Sequence, residues 1–112
     1  MSDIKDIVRI AKEALEEKKA NDIRIINIAD ISPISDYFII TNGDNVNQIH
    51  ALSDNVREKL AEAGIHPKSI EGYNNAKWIL MDYIDVVINI FSKEDRSFYD
   101  LERIWRDGKI EK

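Results

Sequence analysis

Apolar positions along this chain change their spacing several times, and each spacing predicts an element. Ile4, Ile7, Val8, Ala11, Ala14 and Leu15 recur every three to four residues, which predicts an amphipathic helix over 3–19. Ser2 or Asp3 can cap it, and acids stand in its first turn, where the helix dipole favours them. Residues 22–28 alternate through Ile23, Ile25 and Ile28, the period of a strand. Ser32-Pro33-Ile34-Ser35 interrupts the pattern, because proline restrains its predecessor and donates no hydrogen bond. Tyr37 to Thr41 is aromatic and β-branched, a second strand. Asn42-Gly43-Asp44-Asn45 reads as a turn followed by a cap. A second helix over 46–63 follows, its apolar face made by Val46, Ile49, Leu52, Val56, Leu60 and Ala63. Gly64 and then Pro67 stop it.

A short third strand starts at Ser69, and Gly72-Tyr73-Asn74-Asn75 turns the chain. The run from Trp78 to Phe91 is too apolar for a loop and too short for a membrane helix. It predicts two strands, about 77–83 and 85–91, as a hairpin turning between Asp82 and Asp85. Residues 94–105 predict a last helix with Phe98, Leu101, Ile104 and Trp105 on its apolar side, and 106–112 reads as frayed. The order is α-β-β-α-β-β-β-α. It predicts one α+β domain spanning 1–112, with a mixed five-stranded sheet and helices packed mainly on one face. Alternation sets Trp78, Leu80 and Asp82 on one side of their strand and Ile79, Met81 and Tyr83 on the other. With helices on one face only, the other would display an aromatic and apolar set, the mark of a partner site. Tryptophan and tyrosine suit such a site because they bury much area while keeping a polar tip.

Composition narrows the partner. With 44% apolar and 33% charged residues the chain is of ordinary globular type. Its formal net charge is −5, and acids and bases interleave, as in Glu16-Glu17-Lys18-Lys19 and Lys93-Glu94-Asp95-Arg96. A phosphate-gripping surface needs an excess of bases, so DNA and membrane are poor partners and a basic protein a better one. The N-terminus lacks a basic segment followed by an apolar block, so no secretory signal is expected. There is no cysteine, which excludes a disulfide scaffold and thiolate chemistry and fits a cytoplasmic location.

Candidate chemistry is sparse. Asp82 and Asp85 could hold a divalent metal or act as an acid/base pair, but carboxylates at strand ends commonly satisfy turn backbone groups. Gly43 and Gly72 stand alone, without the glycine-rich loop that cradles phosphate. His50 and His66 have no second ligand at metal spacing. No serine sits in a nucleophile elbow. No cofactor or metal is expected, and no catalytic residue is assigned.

The same residues resemble a known family. Ser35-Asp-Tyr-Phe-Ile-Ile40, Gln48 followed by Ala51 and Asp54, Glu71-Gly72, Trp78-Ile-Leu-Met-Asp-Tyr83, Asp85-Val-Val-Ile88 and Phe98-Tyr-Asp-Leu-Glu102 with Trp105 match, in order and spacing, the ribosomal silencing factor family, RsfS or Iojap. The match runs from about Ile4 to Asp107. The resemblance implies a fold like that of nucleotidyltransferases without their catalytic motif. It implies binding to the large ribosomal subunit through its fourteenth large-subunit protein, which blocks joining of the small subunit and represses translation when nutrients are scarce. It also implies a homodimer when free. By matching position, Trp78, Leu80, Met81, Asp82, Tyr83 and Asp85 fall at the ribosomal-protein contact, with Tyr99 and Glu102 flanking it and Asp36 and Tyr37 structural. Two positions depart from the family pattern: Asn89 stands where many members carry His, and Ile84 where many carry Gly. The alternatives are a divergent nucleotidyltransferase using Asp82 and Asp85, and a self-associating adaptor.

Overall fold

The computed structural model describes residues 4–30, 35–94 and 109–111. Helix α1 (Ile4–Glu17) precedes an antiparallel pair, β1 (Asn21–Asn27) and β2 (Tyr37–Gly43). Helix α2 (Val46–Glu62) leads to β3 (Ser69–Glu71), β4 (Trp78–Asp82) and β5 (Val86–Ser92), and β6 (Lys109–Glu111) ends the series. The sheet order is β3-β4-β5-β2-β1-β6. The β2–β5 pair is parallel and the others antiparallel.

The five expected strands form the expected mixed sheet, and a sixth joins its edge. β6 corrects the reading of the last residues as frayed. Three residues carry no usable alternation, so only pairing with β1, Ile26 opposite Ile110, could reveal this strand. Most of the helix expected over 94–105, including Tyr99 and Glu102, lies outside the described residues.

α1 and α2 lie together on one sheet face. Ile7, Ala11, Ala14 and Leu15 of α1 and Ile49, Leu52, Val56 and Leu60 of α2 share one core with Ile39, Ile79, Met81, Ile88 and Ile90. The start of α2 is a clamp. Asn45 Oδ1 accepts the Gln48 N–H at 2.8 Å, and Gln48 Nε2 donates to the carbonyls of Lys18 and Lys19 at 3.2 and 2.9 Å. One glutamine thus joins the cap of α2 to the exit of α1. At its other end α2 closes through Gly64, whose φ of +78° allows the Gly64 N–H to reach Ala61 and the Ile65 N–H to reach Leu60.

Candidate functional site

β4 alternates as its sequence predicts, and the sheet decides which way. Ile79 and Met81 are fully buried beneath the helices, with Tyr83 beside them at 5% exposure. Trp78, Leu80 and Asp82 take the opposite face and are each half-buried. The six matched residues of the hairpin therefore separate. Met81 and Tyr83 build the core behind the strand, whereas Trp78, Leu80 and Asp82 form a row along it. Asp85 lies exposed in the β4–β5 turn.

The opposite face is less open than expected. Ile26, Ile28, Ile40 and Phe91 form a second buried cluster there, with Phe38 and Trp78 packed against it. Register explains the grouping: Trp78 lies opposite Phe91, Leu80 opposite Asn89 and Asp82 opposite Val87. The centre of this face is a second core, and its partly exposed margin is the β4 row and Phe38.

Trp78 is held from two sides. Its ring stacks on Phe91 with centroids 5.1 Å apart, and its indole Nε1 donates to Asn89 Oδ1 at 2.9 Å. Asn89 is fully buried, and its Nδ2 donates to the Ile39 carbonyl at 3.4 Å. The Asn89 amide oxygen is thus the acceptor that orients the indole, and its amide nitrogen ties the pair to β2. Asn89→Ala is expected to cost roughly 1–3 kcal/mol, because it removes two buried side-chain hydrogen bonds and leaves a cavity in the second cluster. Urea unfolding measures this; a change below about 0.5 kcal/mol would show that the bonds contribute nothing net.

The turn is fixed by side chains as much as by backbone. Asp82 Oδ1 accepts the Ile84 N–H at 2.8 Å, and Ser35 Oγ donates to the Ile84 carbonyl at 2.7 Å. The Asp85 carbonyl accepts N–H groups from Asp36 and Tyr37 at 2.8 and 3.1 Å, joining the turn to the start of β2. Ser35 thus holds the turn through its side chain, and Asp36 and Tyr37 through their backbone. Asp82 is an ordinary turn cap. The clefts beside Tyr73, about 320 Å3, and at the start of α2, about 350 Å3, are lined by neither Asp82 nor Asp85. Among the described residues no group of three or more His, Cys, Asp or Glu gathers to hold a metal.

On the helix side, α2 braces the loop that leads into β4. His50 Nε2 lies 2.7 Å from the Tyr73 carbonyl, and the two rings stack at 4.4 Å. A carbonyl only accepts, so Nε2 carries a proton. The Tyr73 hydroxyl donates to Asp54 at 2.9 Å, and this bond is the first cause of its raised pKa. The sequence marks His50 only by its lack of a second ligand at metal spacing; its ring positions the loop before Trp78.

Tyr83 carries a pH signature. Burial raises its pKa from 10.0 to about 12, against a lowering influence from Arg57, and its hydroxyl has no hydrogen-bond partner among the described residues. The folded state keeps its proton where the unfolded chain loses it, so this contribution is complete below pH 10 and falls as pH rises towards about 12. Urea unfolding between pH 9 and 11 is expected to show this decline, and Tyr83→Phe to reduce it without loss of stability at neutral pH. An equal decline in the Phe variant would assign it to other groups.

The comparisons with known proteins agree with the pattern of motifs. The family described as "Ribosomal silencing factor during starvation" matches residues 1–112. A Bacillus subtilis protein named ribosomal silencing factor RsfS is 38% identical over 106 residues, covering 95% of this chain and 90% of its own length. A mouse protein named mitochondrial assembly of ribosomal large subunit protein 1 is 29% identical over 98 residues, 81% of this chain and 41% of its own length. A crystal structure of a Chromobacterium violaceum protein superposes with a TM-score of 0.91 at 34% identity, covering 93% of this chain and 87% of that one. The chain belongs to the RsfS family of ribosomal silencing factors.

Proposed function

We propose that this protein binds the large ribosomal subunit through its fourteenth large-subunit protein, in the cytoplasm, and blocks the small subunit from joining. Translation is thereby repressed when nutrients are scarce. The observation that carries the reading is the partly buried row Trp78, Leu80 and Asp82 on β4, on the face away from the helices, in a chain of this family. It combines an aromatic anchor, an aliphatic neighbour and an acidic rim, the composition that suits a basic ribosomal protein. The formal net charge of −5 favours the same encounter. The name of the mouse relative points to the large subunit as well.

Within this reading Trp78, Leu80 and Asp82 touch the partner, with Asp85 at the rim. Met81 and Tyr83 act from behind by fixing the strand, and Tyr99 and Glu102 flank the contact. The free protein is a homodimer, and its fold is of the nucleotidyltransferase kind without the catalytic function. No turnover is needed: a binder that overlaps a docking surface inhibits in proportion to its occupancy. Co-sedimentation with purified subunits tests the proposal. The protein should pellet with large subunits and not with small ones, and failure to pellet with large subunits at saturating concentration would overturn it. The competing reading, a nucleotidyltransferase built on Asp82 and Asp85, requires Mg2+ or nucleotide binding measurable by calorimetry.

A further inference from the structure

Ile84 stands in a conformation that its side chain disfavours. Its φ is +74°, in the left-handed region that β-branched residues rarely enter. The backbone cannot relax, because Asp82 Oδ1 holds the Ile84 N–H at 2.8 Å and Ser35 Oγ holds its carbonyl at 2.7 Å. The following residue is tied by the bonds from Asp36 and Tyr37 to the Asp85 carbonyl. The side chain gains little from burial in return: it is 60% exposed, and Ile84 and Val46 are the exposed large hydrophobics among the described residues. A glycine would make the same turn without the steric cost. The isoleucine therefore lowers the stability of the free domain.

We infer that Ile84 is an affinity-determining contact for the basic ribosomal protein, an inference that rests on the function proposed above. Three placements support it. Asp82, the last residue of the β4 row that also holds Trp78 and Leu80, bonds directly to the Ile84 backbone, so the exposed isoleucine is anchored next to the end of that row. Asp82 and Asp85 stand on either side of it in the turn, giving an apolar centre with a carboxylate rim, which complements a basic surface with an apolar spot. The two bonds from Asp82 and Ser35 hold the Ile84 backbone on both sides of its Cα, so little backbone freedom is lost on docking.

Strain and contact predict opposite changes, which makes the inference testable. Ile84→Gly is expected to raise the unfolding midpoint by roughly 3 °C and to weaken binding of the full chain to purified large subunits by about 5- to 10-fold. Ile84→Ala keeps a Cβ and most of the steric cost, so it should lose similar affinity with little gain in stability. A glycine variant that is stabilised and binds as tightly as the parent would overturn the inference, leaving Ile84 as strain without a partner. A glycine variant that is not stabilised would overturn its premise. If the parent itself does not bind large subunits, the proposed function fails first, and the two failures remain distinct.

Discussion

Gly72→Ala is expected to destabilise this domain by about 3 kcal/mol or more, lowering the thermal midpoint by roughly 10 °C. Gly72 has a φ of +78°, which an alanine resists. A Cβ there would collide with the Trp78 carbonyl oxygen and lie 3.3 Å from its carbonyl carbon. Both are backbone atoms and cannot rotate aside, so the loop or the first residue of β4 must move. The loop has little freedom to do so. The Ala76 N–H donates to the Gly72 carbonyl at 3.1 Å, and Tyr73 is pinned to α2 through His50 and Asp54. Thermal or urea denaturation checks the expectation. A loss below about 1 kcal/mol would show that the loop absorbs the methyl group.

Trp78→Ala is expected to weaken binding to large ribosomal subunits by at least about 30-fold, near 2 kcal/mol. The tryptophan is large, partly exposed and already oriented, by Phe91 stacked on its ring and Asn89 at its indole nitrogen. An anchor ordered before contact loses little freedom on docking. Removing it also opens space over Phe91, so the variant should lose some stability. Trp78→Phe is the milder variant, since it keeps an aromatic ring over Phe91 while losing the indole donor and part of the ring area. Circular dichroism and a denaturation curve establish that each variant is folded before binding is measured. A folded Trp78→Ala protein with unchanged affinity would remove Trp78 from the contact.

Both helices were legible because their apolar residues keep helical spacing, from Ile4 to Leu15 and from Val46 to Leu60, and the longer strands because they are alternating or continuous apolar runs bounded by turn residues. The two-sided character of β4 was legible for the same reason. Which side meets the helices was not: that depends on β5 lying between β4 and a parallel β2, a pairing across many residues. The motif also grouped Met81 and Tyr83 with Trp78 and Leu80, although alternation placed them with Ile79. A motif marks positions that matter without separating those that touch a partner from those that hold the strand.

Other features had weaker signals. Asn45 three residues before Gln48 is a capping pattern, but nothing local shows that Gln48 also reaches the end of α1. The link between β4 and β5 is short enough to need a left-handed residue, yet isoleucine is the wrong residue from which to guess that position. The open second sheet face was expected from helices on one side alone. Instead Ile26, Ile40, Asn89 and Phe91 are buried there, leaving a narrower margin for a partner. That margin is smaller than the predicted face and better defined, since its tryptophan is fixed by identified contacts.

The most direct test of the account is gradient sedimentation of purified large and small ribosomal subunits, mixed under joining conditions with and without saturating protein. The account predicts that joined ribosomes decline, that free subunits accumulate, and that the protein migrates with the large subunit, with Trp78→Ala restoring joining. Equal joining with and without the bound protein would contradict it.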